Sequence, residues 1–416
     1  MDKSTRYKIF NDPVQGFITV PKGIILKLID HPYVQRLRRI RQLGLGYLVF
    51  PGAEHSRFSH ALGALELGQR VLQNLREKDT TISDNEFEGT LIALLLHDVG
   101  HGPLSHTLEH TLIKNFTHEK MSLAIMKELN IQFDGALDTA IQIFTNQYPK
   151  KFLYQLVSSQ LDLDRLDYLR RDSFFTGVSE GTVGINRILK TMRVFNGNIV
   201  IEKKGIYALE NYIIARRLMY MQVYLHKTVL SADTLLRSIF KRVSDLLDSK
   251  TPLHFASPKL EYFVKEKPSA KKSISKKVIE LYAALDDYDV YQNIKEWQYS
   301  SDSILSDLCT RFLNRNLFRT TFLDSIPNEE MIDSIQKLTI EELKKSGIKI
   351  SKSESTYYFK LETDKTEAYQ YRNESIWILD NNEAIEFSKA ADTKSIIALT
   401  EPLVRHYVVH LKSIQV

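Results

Sequence analysis

Apolar and polar positions along this chain fall mostly into helical spacing. Residues 22–43 carry that period, and Arg36-Leu37-Arg38-Arg39-Ile40-Arg41 puts a basic face on the same predicted helix. Ser59 is placed to cap a helix running to about Arg76. Residues 86–98 predict a helix apolar on nearly every side, and Thr117 caps one over 118–129. Leu153, Leu156, Val157, Leu161, Leu163 and Leu166 predict a helix over 152–171, and a long helix is predicted over 207–248. Two stretches break the pattern. Residues 7–20 read as a short extended segment with an Asp12-Pro13 turn, and 194–201 as a hairpin around Asn196-Gly197.

After residue 248 the composition shifts. Residues 249–277 hold Pro252, Pro258, Pro268 and the lysines Lys271, Lys272, Lys276 and Lys277, which predicts a surface loop or lid. Helices resume to about Leu323, one more follows Pro327, and strands are expected at 356–361 and 406–410. The predicted architecture is mainly α: a helical core over 1–325 with a short β-hairpin, then a small α+β subdomain over 326–416.

Composition narrows the classes. A chain of 416 residues is too long for one simple core. The single cysteine, Cys309, excludes a disulfide framework and fits a reducing, cytoplasmic setting. Met1-Asp2-Lys3-Ser4-Thr5-Arg6 leads into no apolar run, so no secretion signal is expected, and no stretch is long enough to span a bilayer. The net charge of +5 suits a polyanionic small ligand without indicating nucleic acid.

The chemistry is concentrated at His97-Asp98. The pair closes the run Leu91-Ile92-Ala93-Leu94-Leu95-Leu96 and opens Val99-Gly100-His101-Gly102-Pro103. Ionisable groups at the end of a buried helix are costly without a partner, and a divalent metal can be ligated by both imidazole and carboxylate. His60 and Asp164 are the further candidates, with Asp162 competing for the last position. The order His, His-Asp, Asp gives one metal site drawn from three helices.

These motifs, with Gln42-Leu43-Gly44-Leu45-Gly46-Tyr47-Leu48-Val49-Phe50-Pro51-Gly52-Ala53 and Arg57-Phe58-Ser59-His60, carry a resemblance. Over roughly residues 7–325 the chain resembles the HD-domain metal phosphohydrolases, and within them the deoxynucleoside triphosphate triphosphohydrolase branch. The resemblance implies an HD-domain helical core and one divalent transition metal per subunit (Fe, Mn, Zn or Ni) held by His60, His97, Asp98 and Asp164. It favours Asp164 over Asp162 because Arg165, Asp167-Tyr168 and Arg171-Asp172 then fall in step with the family pattern. It also implies Mg with the nucleotide.

By the same resemblance, His118 is the general acid or nucleophile-side histidine and His101 contacts the phosphate and leaving oxygen. Glu109 stands where the family's relay often has Asp. His106 reads as a histidine that packs within a helix or supports the others. Arg57, Arg216 and Lys227 would hold phosphates, with Arg216 on the γ-phosphate. Tyr224 would lie under the sugar, Tyr168 and Asp172 would hold its 3′-hydroxyl, and Gln42 and Leu43 would touch base and sugar edge. Met219 and Tyr220 read as core.

The resemblance further implies a regulatory site for GTP or a dNTP at Lys8, Asp30, Gln35, Arg38, Arg315 and Arg319. Such a site requires a homo-oligomer, dimer or tetramer. The leading function is therefore hydrolysis of dNTPs to deoxynucleoside and inorganic triphosphate. The alternatives are a phosphatase or phosphodiesterase acting on other nucleotides, and a catalytically weak nucleotide sensor or nucleic-acid-binding module supported only by the basic segment near 271–277.

Overall fold

The computed structural model describes residues 7–271, 274–366, 369, 375–391 and 401–415, so Lys272 lies outside the described residues. Helices dominate, as the pattern predicts. The central one, Asp84–Leu96, starts with a capping box: Ser83 Oγ accepts from Glu86 N, and the Glu86 carboxylate accepts from Ser83 N. Its residues from Gly89 to Leu96 are all buried, between helices Arg57–Arg76 and Asp138–Phe144. The expected cap at Thr117 starts helix His118–Gln132.

Several predicted elements are cut or shifted, each for a local reason. The helix expected over 22–43 is broken at His31-Pro32 into Ile24–Asp30, Pro32–Gln35 and a 3-10 turn at Arg36–Arg39. Proline holds the preceding residue extended, and His31 sits at φ −67°, ψ 139°. The cap expected at Ser59 is Ser56, whose hydroxyl accepts from Ser59 N, so the helix begins at Arg57. The segment 152–171 is two helices, Lys151–Val157 and Leu163–Thr176, because Asp162 caps the second. The long helix over 207–248 is interrupted: Ile206–Met219 runs into a π-helical turn at Tyr220–Tyr224, and Lys227–Asp248 restarts after His226 caps it.

Residues 249–271 are not loop throughout. They carry helix Pro258–Glu266, which buries Leu260 and Phe263, and Lys114 pairs with Pro268 and Ala270 through backbone hydrogen bonds. The helical stretch ends at Leu313, and Arg319–Leu323 is a strand. The strand expected at 356–361 begins later, at Lys360, after a 3-10 turn at Glu354–Tyr357.

Small sheets tie distant segments together. Tyr7–Asp12 and Gly16–Pro21 form a hairpin. The hairpin Met192–Phe195/Asn198–Glu202 turns at Asn196 and Gly197, both at positive φ, and is extended by Trp377–Asp380 and Glu383–Glu386. Strand Leu403–His410 lies between Arg319–Leu323 and Lys360–Thr366, antiparallel to both. No helix among the described residues is long and apolar enough to cross a membrane.

One buried cation fixes the loop after His97-Asp98. Arg36 donates to the carbonyls of Val99 and His101 on one side, and to those of Tyr282 and Leu285 on the other. Arg36→Met leaves these acceptors without a donor. It is expected to cost on the order of 3 kcal/mol in denaturant unfolding and to lower activity through the loop it holds.

Candidate metal and active site

Four side chains from three helical segments converge. His60 lies on Arg57–Arg76, His97 and Asp98 follow Leu96, and Asp164 is in the first turn of Leu163–Thr176. His60 Nε2 is 3.3 Å from His97 Nε2 and 3.1 Å from Asp164 Oδ1. His97 Nε2 is 3.5 Å from both Asp164 Oδ1 and Asp98 Oδ1, and Asp98 Oδ2 is 3.8 Å from His60 Nε2. Donors at about 2.0–2.2 Å from one metal ion stand roughly 3.0–3.5 Å apart, so His60, His97 and Asp164 together fit a divalent ion, while the Asp98 carboxylate borders that set and groups with His101 and His118.

The outer hydrogen bonds orient the ligands. His60 Nδ1–H donates to Asp167 Oδ2 at 2.9 Å, and His97 Nδ1–H donates to Leu94 O at 2.6 Å. Both Nε2 lone pairs therefore face inward. Asp167 also accepts from Arg171 and Gln15, and Arg171 donates to Asp12. Burial opposes charge on the two imidazoles, yet the surrounding carboxylates outweigh it. Asp164 and Asp167 push His60 up to about 10, and Asp98 and Asp164 push His97 up to about 9. The cluster calls for positive charge at its centre. Asp162 is not in it: its carboxylate caps the helix through Arg165 N and pairs with the Arg165 guanidinium.

Beside the cluster stand two stacked imidazoles with opposite preferences. The rings of His101 and His118 are 3.9 Å apart and tilted by 17°. Burial, then the Arg57 cation, hold His101 well below the ordinary histidine value, although its Nε2 is 3.3 Å from Asp98 Oδ1. His118 is raised: burial disfavours its charge, but the hydrogen bond to Glu109 wins. Glu109 Oε1 accepts from both Nδ1 and the backbone N of His118, each at 2.8 Å. Burial opposes ionisation of Glu109, but His106 and His118 hold it far below its usual value. The longer glutamate thus reaches the relay. His106 is 71 % exposed, so it is no core histidine; it faces Glu109 at 3.5 Å and lines the cavity.

The cavity encloses about 470 Å³. Its wall includes the predicted Gln42, Leu43, Arg57, Tyr168, Asp172 and Tyr224. Arg57 donates to Asp98 Oδ2 at 2.6 Å and to Ser105 Oγ at 2.8 Å. Asp172 accepts from the Tyr224 hydroxyl at 2.8 Å. Arg216 is buried, with Nε and one terminal nitrogen unpartnered, and its charge acts on Tyr168. Lys227 is exposed, with its ammonium 5.0 Å over the Phe322 ring, and is not on the wall. Of the residues read as core, Met219 is buried, whereas Tyr220 lines the cavity.

Of the regulatory set, Lys8 pairs with Asp30 at 3.1 Å and Arg38 donates to Gln35 at 2.9 Å. Arg315 donates to Leu48 O, and Arg319 is exposed. Sequence reasoning missed Asp167 as the carboxylate behind His60, Arg165 on the cavity wall, and His55 behind Asp172. Only Asp167 carried a signal, since it falls one helical turn after Asp164 on the same face.

Residues 183–278 match the model of the HD associated region family. The chain is 36 % identical over 381 residues to the uncharacterized protein YwfO of Bacillus subtilis, covering 89 % of this chain and 82 % of that one. It is 30 % identical over 285 residues to the human deoxynucleoside triphosphate triphosphohydrolase SAMHD1, covering 58 % of this chain and 45 % of that protein. It thus spans less than half of that relative. Among solved structures, a phosphohydrolase from Bacteroides thetaiotaomicron superposes with a TM-score of 0.92 at 41 % identity, covering 97 % of this chain and 99 % of that one.

Two expectations separate the roles assigned here. Asp164→Asn is expected to lose bound metal by elemental analysis, whereas Asp162→Ala keeps it and loses about 1 kcal/mol of cap stability. If protonated His118 is the working form, activity falls as pH rises through its raised pKa. Glu109→Gln removes the raising partner, so the descending limb of the pH–rate profile is expected to move to lower pH.

Proposed function

The chain belongs to the HD-domain phosphohydrolase superfamily, and from that premise we propose that it is a metal-dependent hydrolase of deoxynucleoside triphosphates, releasing deoxynucleoside and inorganic triphosphate. One observation carries the reading. A single cavity joins His97, Asp98 and Asp164, with His60 buried beside them, and the His101–His118 pair to Asp172 and Tyr224, with Arg57 and Arg165 on its wall. Cation, proton donor and sugar-sized floor therefore meet in a volume that suits one nucleotide.

His60, His97, Asp98 and Asp164 would hold the divalent ion, which would be Fe, Mn, Zn or Ni, and Mg would accompany the nucleotide. When bound, that ion supplies Lewis-acid stabilisation of the phosphoryl charge and acidifies water. The chain's own groups do the rest. Water adds to the phosphorus next to the sugar as the bond to the 5′-oxygen breaks, and the proton the water loses leaves with the released triphosphate. His118, kept charged by Glu109, delivers a proton from Nε2 to the leaving oxygen. His101 stays neutral and faces the phosphate. Arg57 and Arg165 on the wall neutralise the triphosphate tail, and the buried, underpartnered Arg216, which is not on the wall, adds its positive charge from outside the lining. The Tyr224 ring, tied to Asp172, packs against the sugar where a 2′-hydroxyl would stand.

The same reading gives a cytoplasmic homo-oligomer, dimer or tetramer. A GTP or dNTP activator would lie at Lys8, Asp30, Gln35 and Arg38 of one subunit and Arg315 and Arg319 of another.

The test is product analysis of the Mn-supplied protein with each dNTP, singly and mixed, with and without GTP. Deoxynucleoside plus triphosphate is expected, abolished in His118→Ala with metal retained. Release of orthophosphate would make it a phosphatase of another kind. Nucleotide binding without turnover in any mixture would make it a sensor.

A further inference from the structure

Asp172 is on the cavity wall, and both of its oxygens are held by the protein. Tyr224 donates to Oδ2 at 2.8 Å, and His55 Nε2 donates to Oδ1 at 2.7 Å. His55 is not on the wall; its side chain is 1 % exposed. The ring lies flat on Phe175, with centroids 4.5 Å apart and planes 11° apart. Its Nδ1 is buried and has no hydrogen-bond partner. The carboxylate can only accept, so a proton sits on His55 Nε2. Stacking against Phe175 prevents the ring from tilting away.

The backbone around His55 is equally fixed. A Cβ on Gly52 would fall 2.8 Å from Phe175 O, so only glycine lets this segment lie against the helix that bears Asp172. His55 O accepts from Gln42 N at 2.9 Å, which places another wall residue from the same point.

We propose that His55 is a positioning residue for recognition of the sugar 3′-hydroxyl. Resting on the nucleotide reading above, it acts through Asp172. Each carboxylate oxygen can accept more than one hydrogen bond. With His55 and Tyr224 each occupying one oxygen, the remaining lone pairs are held at a fixed angle toward the cavity. They select a hydroxyl donor at that position. Without His55, Asp172 keeps only its tie to Tyr224 and turns with it, and that selection fades.

The experiment compares a dNTP with its 2′,3′-dideoxy counterpart in the metal-loaded wild type, His55→Ala and His55→Gln. The glutamine amide can donate to Asp172 from a similar place. Wild type is expected to prefer the dNTP. His55→Ala is expected to lower kcat/KM for the dNTP by about 10- to 100-fold, mainly through KM. It should leave the dideoxy substrate within about 2-fold, the range of a change that removes no substrate contact. His55→Gln should recover most of the preference. An equal loss for both substrates would mean a structural role only and overturn the proposal, as would an unchanged preference in His55→Ala.

Calorimetric binding of the same two nucleotides in a His118→Ala background reads the preference without turnover. It keeps this proposal separate from the reaction assigned above. If the products differ from those expected but the 3′-hydroxyl preference is present and lost with His55, the positioning role stands. If the binding shows no preference for the 3′-hydroxyl, it falls.

Discussion

A buried chain of charge holds this site together: Asp12 to Arg171, Arg171 to Asp167, and Asp167 to His60. All four side chains are almost fully out of solvent. Buried charges are tolerable only when paired and hydrogen-bonded, so none of them can be moved alone. The chain ties the N-terminal hairpin to helix Leu163–Thr176 and that helix to Arg57–Arg76. It also sets the tautomer of His60. Gly63 is the space this requires, since a Cβ there would lie 2.0 Å from Asp167 Oδ1 and 2.3 Å from the Arg171 guanidinium.

The same logic of opposed environments separates the two stacked histidines. His101 and His118 share a face, yet one is buried beside a guanidinium and the other is bound to a carboxylate. Their pKa values are driven apart, which lets neighbouring imidazoles take different proton states at one pH. Gly100 makes the arrangement possible. Its amide donates to Ser122 Oγ, and a side chain there would strike His118 O at 2.2 Å. The loop that carries His101 therefore lies directly on the helix that carries His118.

Much of this was readable from residues close together in sequence. His97-Asp98 at the end of an apolar run, the cap at Thr117, the hairpin turn at Asn196-Gly197 and the mainly helical pattern are all local signals. What stayed hidden depends on contacts between distant segments. Nothing near His55 shows that it meets a carboxylate 117 positions away. The period of leucines across 152–171 continues through Ser158–Asp162 because both sides of the break face the same core, so the pattern could not reveal it. Asp162 and Asp164 look alike in sequence. One caps a helix and the other enters the cluster only because the helix begins between them. The proline-rich stretch 249–277 read as loop, yet Pro258 is a first-turn proline of a packed helix.

The strand Leu403–His410 has a kinetic implication. It is the middle member of its sheet, and its neighbour Arg319–Leu323 is anchored by Thr320 Oγ1 donating to Lys227 O, at the restart just after the Tyr220–Tyr224 turn. The edge of the catalytic chamber therefore leans on a pairing between segments far apart in the chain. Such non-local closures are slow because loop entropy is lost before contacts repay it. During refolding, the helical core can condense around the buried charges early, while the tyrosine wall settles only once the late strand has slotted in. Foldedness and competence would then arrive at different times in the same molecule.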